Sequence, residues 1–283
     1  MPQDFDQYIR QGEPSQQAKA YAWQTAIGLQ DVDGLQVSNY LKETARSHIE
    51  GRIDIGSAQE RIEAYYRTHT ADAATRTEEA DKVSARITSL LDEDAFSFRP
   101  TALAAIHRRL FTGVFKHAGE YRTFNVSKRE WVLDGKSVIY APFEDIAETL
   151  AYDFSQEQAF DYTALTRTVN QLAASEAIAA HLAAFIAGIW QVHPFSEGNT
   201  RTTAVFTIKY LRCLGYNDLT NAPFARHARY FRDALVRANY SDLKTGVKPT
   251  LRPLADFLAA AIDGTPPSDD RFQSRHLHIS AAQ

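Results

Sequence analysis

Apolar residues recur every three to four positions along most of the chain, the spacing that gathers them on one face of an α-helix. Leu103, Ile106, Leu110 and Phe111 form such a stripe just after Phe98-Arg99-Pro100-Thr101, a helix start. Val83, Ile87, Leu90 and Leu91 form another within 76–92. Residues 32–75 read as two helices. The first covers about 37–49 and stops near Gly51, a residue suited to a left-handed C-terminal position. The second begins near Ser57, with Glu60 three residues on in a capping-box pattern, and carries an apolar edge of Ile62, Tyr65 and Tyr66. Further helices are predicted over 143–156, 165–190, 199–214, 222–239 and 250–263; the one over 165–190 is the most apolar and is expected at the centre. Residues 1–16 read as a loose arm broken by Gly12 and Pro14, and residues after Gly264 as a loose tail.

The helical pattern breaks once. Residues 121–142 carry Tyr121, Phe124, Val126, Trp131, Val132, Val138 and Ile139, which are strand-prone, with Asp134-Gly135 between two short runs. Asp-Gly in that setting predicts a tight hairpin turn. The expected fold is therefore all-α with one inserted β-hairpin, over about 131–141.

Composition narrows the class. The chain has 283 residues, 44% of them hydrophobic, enough for a core. Its 31 Lys plus Arg against 35 Asp plus Glu give a formal charge of −4, which argues against general nucleic-acid binding. A single cysteine, Cys213, excludes an internal disulfide. The apolar stretch Ile178 to Val192 falls short of the roughly 18–20 residues of a membrane span, and Met1 to Gly12 shows no signal-peptide pattern. A cytoplasmic protein without a membrane partner is expected; a homo-oligomer stays open.

The chemistry concentrates in His193-Pro194-Phe195-Ser196-Glu197-Gly198-Asn199-Thr200-Arg201, between two helices. Pro194 disfavours helical geometry at His193, so the first helix should stop there. Gly198 permits a positive φ, and Asn199 can cap the next helix. A glycine turn feeding a helix N-terminus is an anion-binding arrangement. The segment adds a base (His193), a metal-capable carboxylate (Glu197) and a cation (Arg201), the groups that bind a polyphosphate, hold Mg²⁺ and take a proton. Each has a plainer reading: a helix-stopping His, a solvated Glu, a turn. Other histidines are weaker candidates. His107 and His117 lack ligand spacing, and His276 and His278 fall in the tail.

This segment resembles the Fic-domain signature His-Pro-Phe-x-(Asp/Glu)-Gly-Asn-Gly-Arg-x-x-Arg, with eight of its first nine positions fitting. Ile106-His107 to Leu110-Phe111 and Ala118-Gly119-Glu120-Tyr121-Arg122 are similar to the family's early helix and the turn after it. Residues 21–66, including Gly34-Leu35, Tyr40-Leu41 and Ile49-Glu50-Gly51-Arg52-Ile53, resemble the antitoxin-like helical module that precedes some Fic domains. The resemblance implies a module over 1–75, a Fic domain over 76–240, and a C-terminal helix and tail over 241–283. It implies transfer of AMP from ATP to a protein hydroxyl, with Mg²⁺. In that scheme His193 is the general base, Glu197 the metal ligand, and Gly198, Asn199, Thr200 and Arg201 the nucleotide-binding residues. Lys136, Ser137, Val138 and Ile139 fall on the flap that docks a target protein by strand addition.

Two positions depart from the pattern. Thr200 stands where the signature has Gly, and Ala204 where it has its second Arg. Ala204 leaves two alternatives open: a Fic-fold interaction or regulatory module, or transfer of a different phosphate-containing group. The family's inhibitory Ser/Thr-x-x-x-Glu pattern is matched only in its ending, Glu50-Gly51. Four residues before Glu50 stands Arg46, with Ser47 one position late, so Glu50 is a regulatory candidate without its usual partner.

Overall fold

A computed structural model describes residues 5–69, 76–163, 171–216, 221–264 and 270–279. Twelve α-helices run through the described residues: α1 (Asp6–Gln11), α2 (Pro14–Gly28), α3 (Asn39–Ile49), α4 (Ile55–Thr68), α5 (Thr77–Asp92), α6 (Pro100–Phe111), α7 (Ile146–Gln158), α8 (Gln171–Val192), α9 (Asn199–Cys213), α10 (Ala222–Arg226), α11 (Ala228–Asn239) and α12 (Arg252–Ile262). The fold is an all-α bundle. α8 packs against α7, α9, α11 and α12. By length and composition Ala174–Val192 is apolar enough to cross a membrane, but Leu182, Ala183, Ile186, Ile189 and Trp190 are spent on the core. The predicted part of this helix over 165–170 lies outside the described residues.

The helix ends follow local chemistry. Ser38 caps α3 by accepting the Leu41 N–H. α4 begins two residues before the expected Ser57, because the Asp54 carboxylate accepts the Ser57 N–H at 2.6 Å. The expected N-terminal arm is instead helical: Pro14 opens α2 at its first position, where its missing N–H costs nothing, and Glu13 and Gln16 close a capping box.

No distinct antitoxin-like module stands apart upstream. Ala22 and Ala26 of α2, with Leu29 and Val32, belong to one hydrophobic cluster with Leu110, Phe111 and Val205. Ala20 and Trp23 of the same helix join a second cluster with Leu41, Ile49, Ile62 and Ala85. α2 and α5 serve both cores, so the upstream helices are continuous with the rest of the bundle.

The expected hairpin is absent: among the described residues there is no β-strand, only an isolated bridge between Asp242 and Val247. The turn signal itself was sound, since Asp134 and Gly135 both take positive φ, 54° and 81°. What fails is the flanking strand. Val132 and Leu133 are consecutive and both buried, which an alternating strand cannot arrange. The chain instead coils into a 3₁₀ turn over Trp131–Leu133. Strand-addition docking of a target at Lys136, Ser137, Val138 and Ile139 falls with it. The carbonyls there are already taken: Lys136 accepts from the Glu130 N–H, Val138 from the Ser137 hydroxyl, and Ile139 from the Gln191 side chain.

Candidate active site

The end of α8 and the start of α9 meet in a tight turn. α8 stops at His193 as Pro194 requires, and His193 takes φ +49°, a left-handed conformation uncommon for a residue other than glycine. Gly198 has φ +74°, and a Cβ there would come within 2.5 Å of the Phe111 ring, so position 198 admits only Gly. Gly198 is the N-cap of α9; Asn199, expected there, is already helical. Its amide bonds backwards instead. Oδ1 accepts the Phe195 N–H at 3.0 Å and Nδ2 donates to the Phe195 carbonyl at 2.7 Å. The first intrahelical bond to Gly198 comes from Thr202, which leaves the N–H groups of residues 199–201 pointing off the helix start.

Two side chains that the sequence did not single out fix this turn. His107 of α6 stacks on Phe195 with ring centres 3.8 Å apart. Its Nδ1 accepts the Gly119 N–H at 2.8 Å and its Nε2 donates to the Glu197 carbonyl at 3.0 Å. Burial keeps it neutral, with its pKa down to about 4. Arg122 is buried and donates to the carbonyls of His193, Phe124, Ala141 and Val192. Its own N–H reaches the Pro194 carbonyl. Both lie in the stretches quoted for the family resemblance, but their bonding partners are distant in sequence, and no local pattern announces them.

His193 is 5% exposed and lies against Tyr140 and Trp190. Burial first, then the Lys128 and Arg122 charges, hold its pKa down to about 3, so the ring is neutral; its Nδ1 has no hydrogen-bond partner. An open cleft of about 380 Å³ is lined by His193, Glu197, Gly198, Asn199 and Thr200, and also by Asp33, Lys128, Glu130, Trp190 and Arg232. Glu197 is exposed and its carboxylate sits 3.0 Å from Lys128 Nζ. The Thr200 hydroxyl accepts the Trp190 indole N–H at 3.0 Å.

Arg201 is placed elsewhere. It is 1% exposed, does not line the cleft, and pairs with Glu79 and Asp33. Ala204 is fully buried in α9. Glu50 lies at the end of α3, where its carboxylate accepts the Tyr8 hydroxyl and pairs with Arg52.

Among the described residues no group of three or more His, Cys, Asp or Glu forms a metal cage. Mg²⁺ does not need one: it is commonly held by one or two carboxylates together with substrate phosphates. The exposed carboxylate of Glu197, at the mouth of an anion-suited helix start, fits that mode.

Comparison with known proteins places this chain beside the following. Residues 97–211 match the Fic/DOC family. The chain is 32% identical over 140 residues to the Probable protein adenylyltransferase y4lH of Sinorhizobium fredii, a match that covers 49% of this chain and 64% of that protein's length. In fold, a Fic family protein from Desulfovibrio desulfuricans G20 superposes with a TM-score of 0.55 and 15% identity, over 90% of this chain and 67% of that one. The N-terminal FIC domain of Bep8 from Bartonella sp. 1-1C gives 0.45 and 17% identity, over 70% of this chain and 90% of that one.

Proposed function

We propose that this protein is an adenylyltransferase that moves AMP from ATP to a hydroxyl of a target protein. The observation that carries the reading is a neutral imidazole, its Nδ1 buried and without a hydrogen-bond partner, on a residue that lines the same cleft as the open N-terminus of a helix. The target oxygen attacks the α-phosphorus of ATP, the bond to pyrophosphate breaks, and the hydroxyl proton passes to His193. The pKa of His193 is held low partly by Lys128 and Arg122. Phosphates in the cleft oppose those charges and raise it toward the range where a base is effective.

The remaining groups position the nucleotide. The backbone N–H groups at the start of α9 face the developing negative charge. Thr200 accepts from Trp190, which leaves its own O–H to donate to a phosphate oxygen. Glu197 would hold Mg²⁺, and the ion, when bound with ATP, neutralises phosphate charge.

Transfer of a different phosphate-containing group is the second reading. Ala204 and the burial of Arg201 favour it, because neither motif cation reaches the cleft. A panel of labelled donors (ATP, UTP, CDP-choline) with Mg²⁺ and cell lysate, run against His193→Ala, separates the two. Labelling of protein from ATP that disappears in His193→Ala is the expected result. His193-independent labelling, or none from any donor, contradicts the proposal.

A further inference from the structure

We infer that Lys128 and Arg232, rather than Arg201, supply the positive charge that meets the phosphates of the bound nucleotide. The inference rests on the nucleotide-transfer reading above and names the groups that would recognise its polyphosphate.

The two terminal nitrogens of Arg201 are already committed, while its Nε is buried without a partner. Its Nη1 donates to Gln30 at 3.0 Å, and its Nη2 lies 2.7 Å from Glu79 Oε1 and 2.9 Å from Asp33 Oδ2. The guanidinium also sits over the Phe111 ring, 4.8 Å from its centre. An anion arriving there must displace two carboxylates, one of them the largely buried Glu79, a cost that opposes binding. The three partners come from α5 and from the segment after α2, so Arg201 ties the upstream helices to the start of α9.

Lys128 and Arg232 are the two cations that line the cleft. Neither belongs to the 193–204 motif; one comes from the 121–142 loop and the other from α11. Both are partly exposed, so their charge is available to a ligand without full desolvation. Lys128 Nζ spans the turn, bonding the Ser196 carbonyl at 3.2 Å and Glu197 at 3.0 Å. A phosphate taking the ammonium frees the Glu197 carboxylate for the cation that accompanies the nucleotide. Arg232 pairs with buried Glu130. A guanidinium has five N–H donors, so this pair orients the head without using it up. The arrangement supplies two cations beside the open helix start, where the motif supplies none.

The test is calorimetry of the full-length chain with Mg-ATP and with adenosine, which has no phosphate. Lys128→Met is expected to weaken ATP about tenfold and leave adenosine unchanged, with Lys128→Arg restoring most of the loss. Arg232→Gln strands Glu130, so the double variant Glu130→Gln/Arg232→Gln carries the second arm, again with about tenfold weaker ATP. Arg201→Gln is expected to lower the thermal midpoint while ATP affinity stays within about twofold of the wild type in samples that melt cooperatively. ATP affinity unchanged in both cleft variants, or equal loss of ATP and adenosine, overturns the assignment while nucleotide binding stands. A wild-type protein that binds no nucleoside triphosphate overturns the transfer reading and this assignment together.

Discussion

Two loops border the cleft, and they are built differently. The 193–198 turn is held from within and from below: Asn199 clasps Phe195, His107 carries the Glu197 carbonyl, and Phe195 is buried in the core. The 126–140 loop combines its own turn bonds, such as Glu130 N–H to the Lys136 carbonyl and Gly135 N–H to the Glu130 carbonyl, with distant partners. Glu130 pairs with Arg232, Lys136 with Asp242, and the Val132 carbonyl accepts the Ile279 N–H. It leaves Ile139 81% and Trp131 56% exposed. The difference lies in what each loop leaves exposed. The 193–198 turn is a packed, hydrogen-bonded unit, whereas the facing loop buries Val132, Leu133, Val138 and Tyr140 in the core and still presents Trp131 and Ile139 to solvent.

Substitutions can break that contrast. The largest effect is expected from Arg122→Met, because Arg122 serves both loops and its loss strands several buried carbonyls; unfolding in urea should show a cost of about 3 kcal/mol or more. Gly198→Ala comes next, at about 3 kcal/mol, since the added methyl meets the buried Phe111 ring and the residue keeps a positive φ. Gly135→Ala probes the facing loop. It also has positive φ, but nothing lies within 4 Å of a Cβ there, so the same measurement should give about 1 kcal/mol. Equal losses at 198 and 135 would dissolve the contrast.

A separate effect is a pH dependence specific to the turn. His107 and His193 have folded pKa values depressed to about 4 and about 3, below the unfolded value near 6.5. The unfolded chain therefore binds more protons below about pH 6.5, and stability is full above that value and falls as acid is added toward pH 4. Thermal melts from pH 7.5 to 5 should show this fall, reduced in His107→Asn. A slope unchanged in that variant would mean that His107 is not the buried neutral group of the turn.

The sequence made much of this legible. The stripes of α5 and α6, the stop at His193-Pro194 and the positive φ at Gly198 follow from short-range rules, and the turn's residues sit within nine positions. What escaped depends on long-range partners. Residues 131–133 look like a strand until the burial of both Val132 and Leu133 turns them into a 3₁₀ coil. α2 was hidden because Gly12 and Pro14 read as breakers, when Pro14 in fact opens the helix. Arg201 reads as a phosphate cation until Glu79, more than a hundred residues upstream, is seen beside it. His107 and Arg122 show the same limit, since their roles depend on carbonyls that only the fold delivers.

The most direct test of the account is to follow which phosphorus of ATP reaches protein. The full-length chain is incubated with Mg²⁺ and lysate in parallel reactions, one with ATP labelled at the α-phosphate and one at the γ-phosphate, each repeated with His193→Ala. The account predicts His193-dependent label on protein from the α-phosphate and none from the γ-phosphate. Label from the γ-phosphate, or α-label that survives in His193→Ala, would contradict it.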